Sequence, residues 1–142
     1  MYDQSDDNLK PRPIVLLAKN KVGYQNLMKL STIGYLELEQ TDLFFIFVDL
    51  ESYGNGLICL SGGSAGPLGQ TILRSKSSLF DELVDKFLKI FGDRFYIEIQ
   101  RHGDLYEKNF ESFNLSISKK LNAPIIATNE VYYLHKDMSE AH

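Results

Sequence analysis

The chain has 142 residues, 44% hydrophobic and 24% charged, the usage of a globular protein long enough to bury its own core. Lys+Arg total 15 and Asp+Glu 19, a net charge of −4, which excludes a surface that binds nucleic acid throughout, because neutralising phosphates takes concentrated Lys and Arg. The single cysteine, Cys59, excludes an internal disulfide and a thiolate zinc cluster.

Residues 1–12 form a polar lead with Asp3, Asp6 and Asp7, and Pro11 and Pro13 bracket Arg12, so the lead is neither a signal peptide nor a helix. The lone cysteine makes the chain read as cytoplasmic, and no apolar run approaches the ~20 residues of a membrane helix. Ile14–Ala18 is a continuous apolar run of strand length, the kind buried on both faces of a parallel sheet. From Gly23 to Leu38, Tyr24, Leu27, Met28 and Ile33 recur at helical spacing. Leu43–Val48 reads as an inserted strand or a packed loop. Asp49–Tyr53 reads as a helical turn, closed by the turn signal Gly54-Asn55-Gly56.

Leu57–Leu60 reads as a second buried strand, followed by the loop Ser61–Pro67. Pro67 opens a short helix through Arg74. Ser77 or Ser78 caps the next one, whose stripe is Leu79, Phe80, Leu83, Val84, Phe87, Ile90 and Phe91, and Gly92 ends it. Phe95, Ile97 and Ile99 alternate with Tyr96, Glu98 and Gln100, a third strand. Phe110, Phe113, Ile117 and Leu121 make another helical face, Asn122-Ala123-Pro124 turns, and Ile125–Thr128 is a fourth strand before a polar tail. Strands alternating with helices predict an α/β fold, as part of a barrel or as an open parallel sheet. Function gathers in such folds at the C-terminal ends of strands, here Ala18–Val22, Ser61–Pro67, Gln100–Asp104 and Asn129–Leu134.

Few residues in those loops carry chemistry by themselves. Ser61–Gly66 could free backbone N–H groups for a phosphate, yet it lacks the Gly-Lys-Ser/Thr of a Walker loop and reads, taken alone, as a tight connection after a strand. His102, His135 and His142 lack metal-site spacing; His102, just after a strand, has the best position. The alternation assigns Glu98 to the solvent side of its strand. The apolar run around Cys59 makes it a buried, inert thiol.

Five segments, in this order, carry a resemblance. They are Leu16–Asn20 with Gly23–Leu27, Gly56–Gly63, Phe95–Gly103, Pro124–Val131 and Glu140–His142. Together they resemble the N-terminal PHP (polymerase and histidinol phosphatase) domain of the alpha subunit of bacterial DNA polymerase III, across residues 13–142. Gln100-Arg101-His102-Gly103 and Ala127-Thr128-Asn129 are its most specific parts. The resemblance implies a partial, distorted seven-stranded β/α barrel. It also implies that the H-x-H segment of such domains would lie before Met1, and the polymerase domains beyond His142.

It implies something about metals too. Metal-binding members carry His where this chain has Pro13, Cys where it has Gly63, and Asn-Asp-Val-His-Tyr where it has Asn129-Glu130-Val131-Tyr132-Tyr133. Proline and glycine offer no ligand atom, and tyrosine lacks the imidazole; only Glu130 keeps an acidic oxygen. The expectation is a degenerate site with no metal, no cofactor and no catalytic residue, whose four positions Pro13, Gly63, Glu130 and Tyr132 converge at one end of the strands, although Pro13 precedes its strand. The implied role is scaffold and docking surface for the remainder of the alpha subunit and for a proofreading exonuclease subunit. Primed DNA would be met only through the parent protein, whose polymerase domain uses Mg²⁺, and no membrane is involved. A stand-alone metal-dependent phosphoesterase of the same superfamily is the alternative, and the residues at 13, 63 and 132 speak against it.

Overall fold

The structure is a computed structural model and describes residues 14–36, 43–73, 77–101, 103 and 107–129. The polar lead 1–12, Pro13, His102, Glu130, Tyr132 and the tail from 130 onward lie outside the described residues. The elements run β1 (Val15–Ala18), α1 (Lys21–Leu36), α2 (Leu43–Tyr53), β2 (Leu57–Leu60), α3 (Pro67–Leu73), α4 (Ser77–Phe91), β3 (Phe95–Gln100), α5 (Glu107–Leu121) and β4 (Ile125–Thr128). Short 3₁₀ turns at Gly63–Ala65 and Gly92–Arg94 precede α3 and β3.

The four strands make one sheet in the order β1-β2-β3-β4. β2, β3 and β4 are parallel, whereas β1 runs antiparallel to β2 with Val15 opposite Leu60 and Ala18 opposite Leu57. The fold is therefore α/β, as the alternating pattern predicts, and the sheet is open among the described residues.

One face of the sheet holds the core. Leu57 and Cys59 of β2 and Phe95 and Ile97 of β3 are buried against Phe80, Leu83, Val84, Phe87 and Phe91 of α4. Phe87 stacks on Phe95 at 5.1 Å, and Phe47 of α2 meets Phe87 edge-on at 5.1 Å. Phe113 of α5 meets Phe80 edge-on at 5.3 Å. Aromatic pairs of this geometry add to what their buried area contributes.

Local chemistry sets the ends of the elements. Asn20 caps α1, its Oδ1 accepting the Gly23 N–H at 2.9 Å. Gly92, at φ +55, ends α4 as the left-handed residue such ends favour. Arg94 then ties α4 to the entry of β2: its Nη1 donates to the carbonyls of Gly54 at 2.8 Å and Leu57 at 2.6 Å, and its Nη2 to Ile90 at 3.2 Å.

Two expectations are corrected. Leu43–Val48 is neither strand nor loop but the opening of α2. Phe47 and Leu50 turn toward the core while Val48 stays exposed, and an unbroken apolar run carries no period that could distinguish helix from strand. Ile14–Ala18 is not a doubly buried parallel strand. Among the described residues β1 is an antiparallel edge strand whose Leu16 packs inward and whose Val15 and Leu17 are 38% and 46% exposed.

Candidate functional site

Residues of opposite parity point to the second face of the sheet: Val15 and Leu17, Ile58 and Leu60, Tyr96, Glu98 and Gln100, and Thr128. At its C-terminal end a polar cluster replaces the apolar one. Glu98, in the central strand β3, is only 2% exposed, which corrects its assignment to solvent. Alternation separates the two faces of a strand but does not say which face meets water.

The Glu98 carboxylate gathers three neighbouring segments. Its Oε2 accepts the backbone N–H of Gly62 at 2.9 Å. Its Oε1 accepts the Gln100 Nε2 at 3.2 Å and the hydroxyl of Thr128. The Gln100 Nε2 also lies 3.2 Å from the Thr128 Oγ1. The Glu98 backbone N–H donates to the Ser61 hydroxyl at 2.9 Å, and the Ser61 N–H donates to the Tyr96 carbonyl at 3.0 Å. A buried carboxylate must be paired or hydrogen-bonded, and no Lys, Arg or His among the described residues forms an ion pair with this one.

The loop after β2 is shaped to reach this carboxylate. Gly62 and Gly63 lie at φ +82 and +60, a left-handed pair in which side chains are strained. The Gly66 N–H bonds the carbonyls of Gly62 at 3.0 Å and Gly63 at 3.3 Å. The Gly62 and Gly66 N–H groups are thus committed within the chain.

Of the four positions expected to converge, Gly63 sits at this mouth, while Pro13, Glu130 and Tyr132 lie outside the described residues. The direction of β1 settles which of its ends lies near this mouth. Val15 faces Leu60, so the start of β1, not its end, lies beside the C-terminal end of β2. By the same token the loop Ala18–Val22 sits at the opposite end, where the Lys19 N–H bonds the Gly56 carbonyl at 2.8 Å. Gly63 packs beside the end of the Gln100 side chain. A Cβ there would come within 2.8 Å of Gln100 Oε1 and 3.2 Å of its Cδ, so no ligating side chain has room unless Gln100 moves.

Two other candidates are placed. Cys59 is fully buried, and burial first, then the Glu98 charge, push its thiol up to about 12, so it is the inert thiol expected. Arg101 turns outward to α5, with its Nε and Nη2 on the Glu111 carboxylate at 3.0 and 2.6 Å, and these bonds hold that carboxyl below its ordinary value. Gln100 and Thr128 are the site residues that spacing did not single out. The available signal was that both fall within the two segments most specific to the family resemblance.

A family model described as the PHP domain matches residues 2–102. The chain belongs to the PHP-domain family. Curated relatives include DNA polymerase III alpha subunits. That of Rickettsia bellii is 38% identical over 130 residues, 91% of this chain and 11% of the relative. That of Pasteurella multocida is 34% identical over 137 residues, 94% of this chain and 12% of the relative. That of Thermus aquaticus is 36% identical over 129 residues, 91% of this chain and 11% of the relative. The chain therefore matches about a ninth of the length of these relatives. Among the described residues no helix is long and apolar enough to cross a membrane.

Proposed function

We propose that this chain is the PHP region of a replicative DNA polymerase III alpha subunit and serves as scaffold and docking surface, without catalysis of its own. The observation that carries the reading is the 38% identity to an alpha subunit over 91% of the chain. The sheet described above is then an arc of the distorted β/α barrel of such domains. The glycine at position 63 and the hydrogen-bonded closure around Glu98 support a mouth that works without metal.

In this reading the catalytic carboxylates belong to the polymerase domain of the parent protein, where paired Mg²⁺ ions assist phosphoryl transfer. The partners are the remainder of that subunit and a proofreading exonuclease subunit, and primed DNA is met only through the parent. The test is retention of the exonuclease subunit of the same cell on the immobilised chain, alongside primer-extension and phosphoesterase assays of the chain alone. Retention without either activity is expected. Primer extension or Mn²⁺-dependent phosphoester hydrolysis by the pure chain, or failure to retain the exonuclease, contradicts the reading.

A further inference from the structure

We propose that the outward face of α1 is a contact surface for an unpaired DNA strand, with its lysines on the phosphates and Tyr24 as a platform on which a base stacks. The proposal rests on the reading above, in which the parent protein brings DNA within reach, and adds the surface of this chain that touches it. The charge distribution carries it. From Asn8 to Leu36 the sequence holds Lys10, Arg12, Lys19, Lys21 and Lys29, and none of the chain's 19 acidic residues. A chain of net charge −4 thus gathers positive charge on one segment, the local footprint of phosphate recognition that an overall balance conceals.

The fold puts the described part of that segment on the surface. Leu27 and Leu30 turn one side of α1 toward the core. On the other side Lys21, Gln25, Met28 and Thr32 follow at helical spacing, flanked by Tyr24 and Lys29, and all six are exposed. Among the described residues Lys19, Lys21 and Lys29 form no ion pair, so their charges are open to an anion. Lys29 holds its Nζ 5.4 Å from the centre of the Tyr53 ring, beside a groove of about 710 Å³ that Met28 and Thr32 also line. Tyr24 is 58% exposed, and no other ring among the described residues pairs with it. Lys21 and Lys29 stand ~12 Å apart along the helix axis, the span of a few nucleotides. Lysines interleaved with a free aromatic ring suit a strand whose bases are unstacked. A duplex offers such a face its phosphates alone, and an acidic peptide offers Tyr24 no base.

The experiment is fluorescence anisotropy of a labelled oligo-dT strand titrated with the full 142-residue chain between about 50 and 200 mM salt. Binding that weakens with a log–log salt slope of ~−2 is expected, from three phosphate contacts on a single strand. Lys21→Gln and Lys29→Gln should each reduce the slope by ~0.7. Tyr24→Ala should weaken binding roughly tenfold and leave the slope unchanged. Lys108→Gln, on α5, should alter neither. All of these side chains are exposed, and an unchanged melting temperature shows that each variant is folded. A wild-type chain that does not bind, or a Lys108→Gln chain that loses as much as the α1 variants, overturns the proposal. So does equal affinity for a blunt duplex. If polyglutamate competes as well as oligo-dT and Tyr24→Ala changes nothing, the face takes an acidic peptide and the proposal is again overturned. Retention of the exonuclease subunit is read on the same chain without DNA, so the docking reading and this one fail separately.

Discussion

The backbone N–H of Gly62 donates to the Glu98 carboxylate at 2.9 Å across 36 positions of sequence. The bond fixes the loop after β2 to the middle of β3, where the Thr128 hydroxyl brings in β4 through the other carboxylate oxygen. Three C-terminal strand ends are thus held by one side chain.

Glu98→Ala is therefore expected to be among the most damaging single changes in the chain. It leaves the Gly62 N–H and the Thr128 hydroxyl without their acceptor in a largely buried place and the Gln100 amide with the Thr128 oxygen alone, at a cost of ~2–4 kcal/mol. Glu98→Gln keeps one acceptor oxygen and should cost less. Urea unfolding monitored by circular dichroism measures both, and equal stability of Glu98→Ala and the wild-type chain would remove the carboxylate from its central position.

Cys59 gives a pH dependence of definite sign. Its thiol is shifted from the ordinary 9.0 up to about 12 by burial and, secondarily, by Glu98. Below pH 9 the thiol is protonated in both folded and unfolded chains, so its contribution to stability is fully present. As pH rises from 9 toward 12 the unfolded chain loses the proton first, and stability falls by up to ~1.4 kcal/mol per pH unit from this group. Cys59→Ala should flatten that part of the curve relative to the wild-type chain. Native Cys59 should also resist alkylation at pH 8 and react once the chain is unfolded in urea.

The β1 edge predicts self-association. Val15 and Leu17 are 38% and 46% exposed on a strand with no charged residue or proline between Val15 and Ala18, the kind of edge that recruits another strand. Leu17→Lys is expected to reduce light scattering of the concentrated protein while changing the melting temperature little. Unchanged scattering would mean that the edge is not the surface through which the chain associates.

What the sequence disclosed about this fold follows from where its patterns are redundant. β3 announces itself through Phe95, Ile97 and Ile99, and α4 through a stripe that places Phe80, Val84, Phe87 and Phe91 on one side, because each pattern repeats and is closed by a turn residue such as Gly92. Of α2 only the second half, Asp49–Tyr53, was legible, since the six consecutive apolar residues from Leu43 to Val48 look alike at any period. The direction of β1 was not legible either, because strand polarity depends on pairing with β2 and not on Val15–Ala18 itself. At the site, Gly63 was found through the family pattern. The roles of Gln100, Glu98 and Thr128 were not, because they arise from register between β3 and β4, where Gln100 stands opposite Thr128 and Glu98 opposite Ile126.

Under the proposed function this PHP domain works without metal. Elemental analysis of the purified chain by mass spectrometry, after growth with added zinc and manganese and without chelator, tests it most directly. No stoichiometric Zn²⁺ or Mn²⁺ is expected. Two or three tightly held ions per chain, released together with a loss of thermal stability, would contradict it.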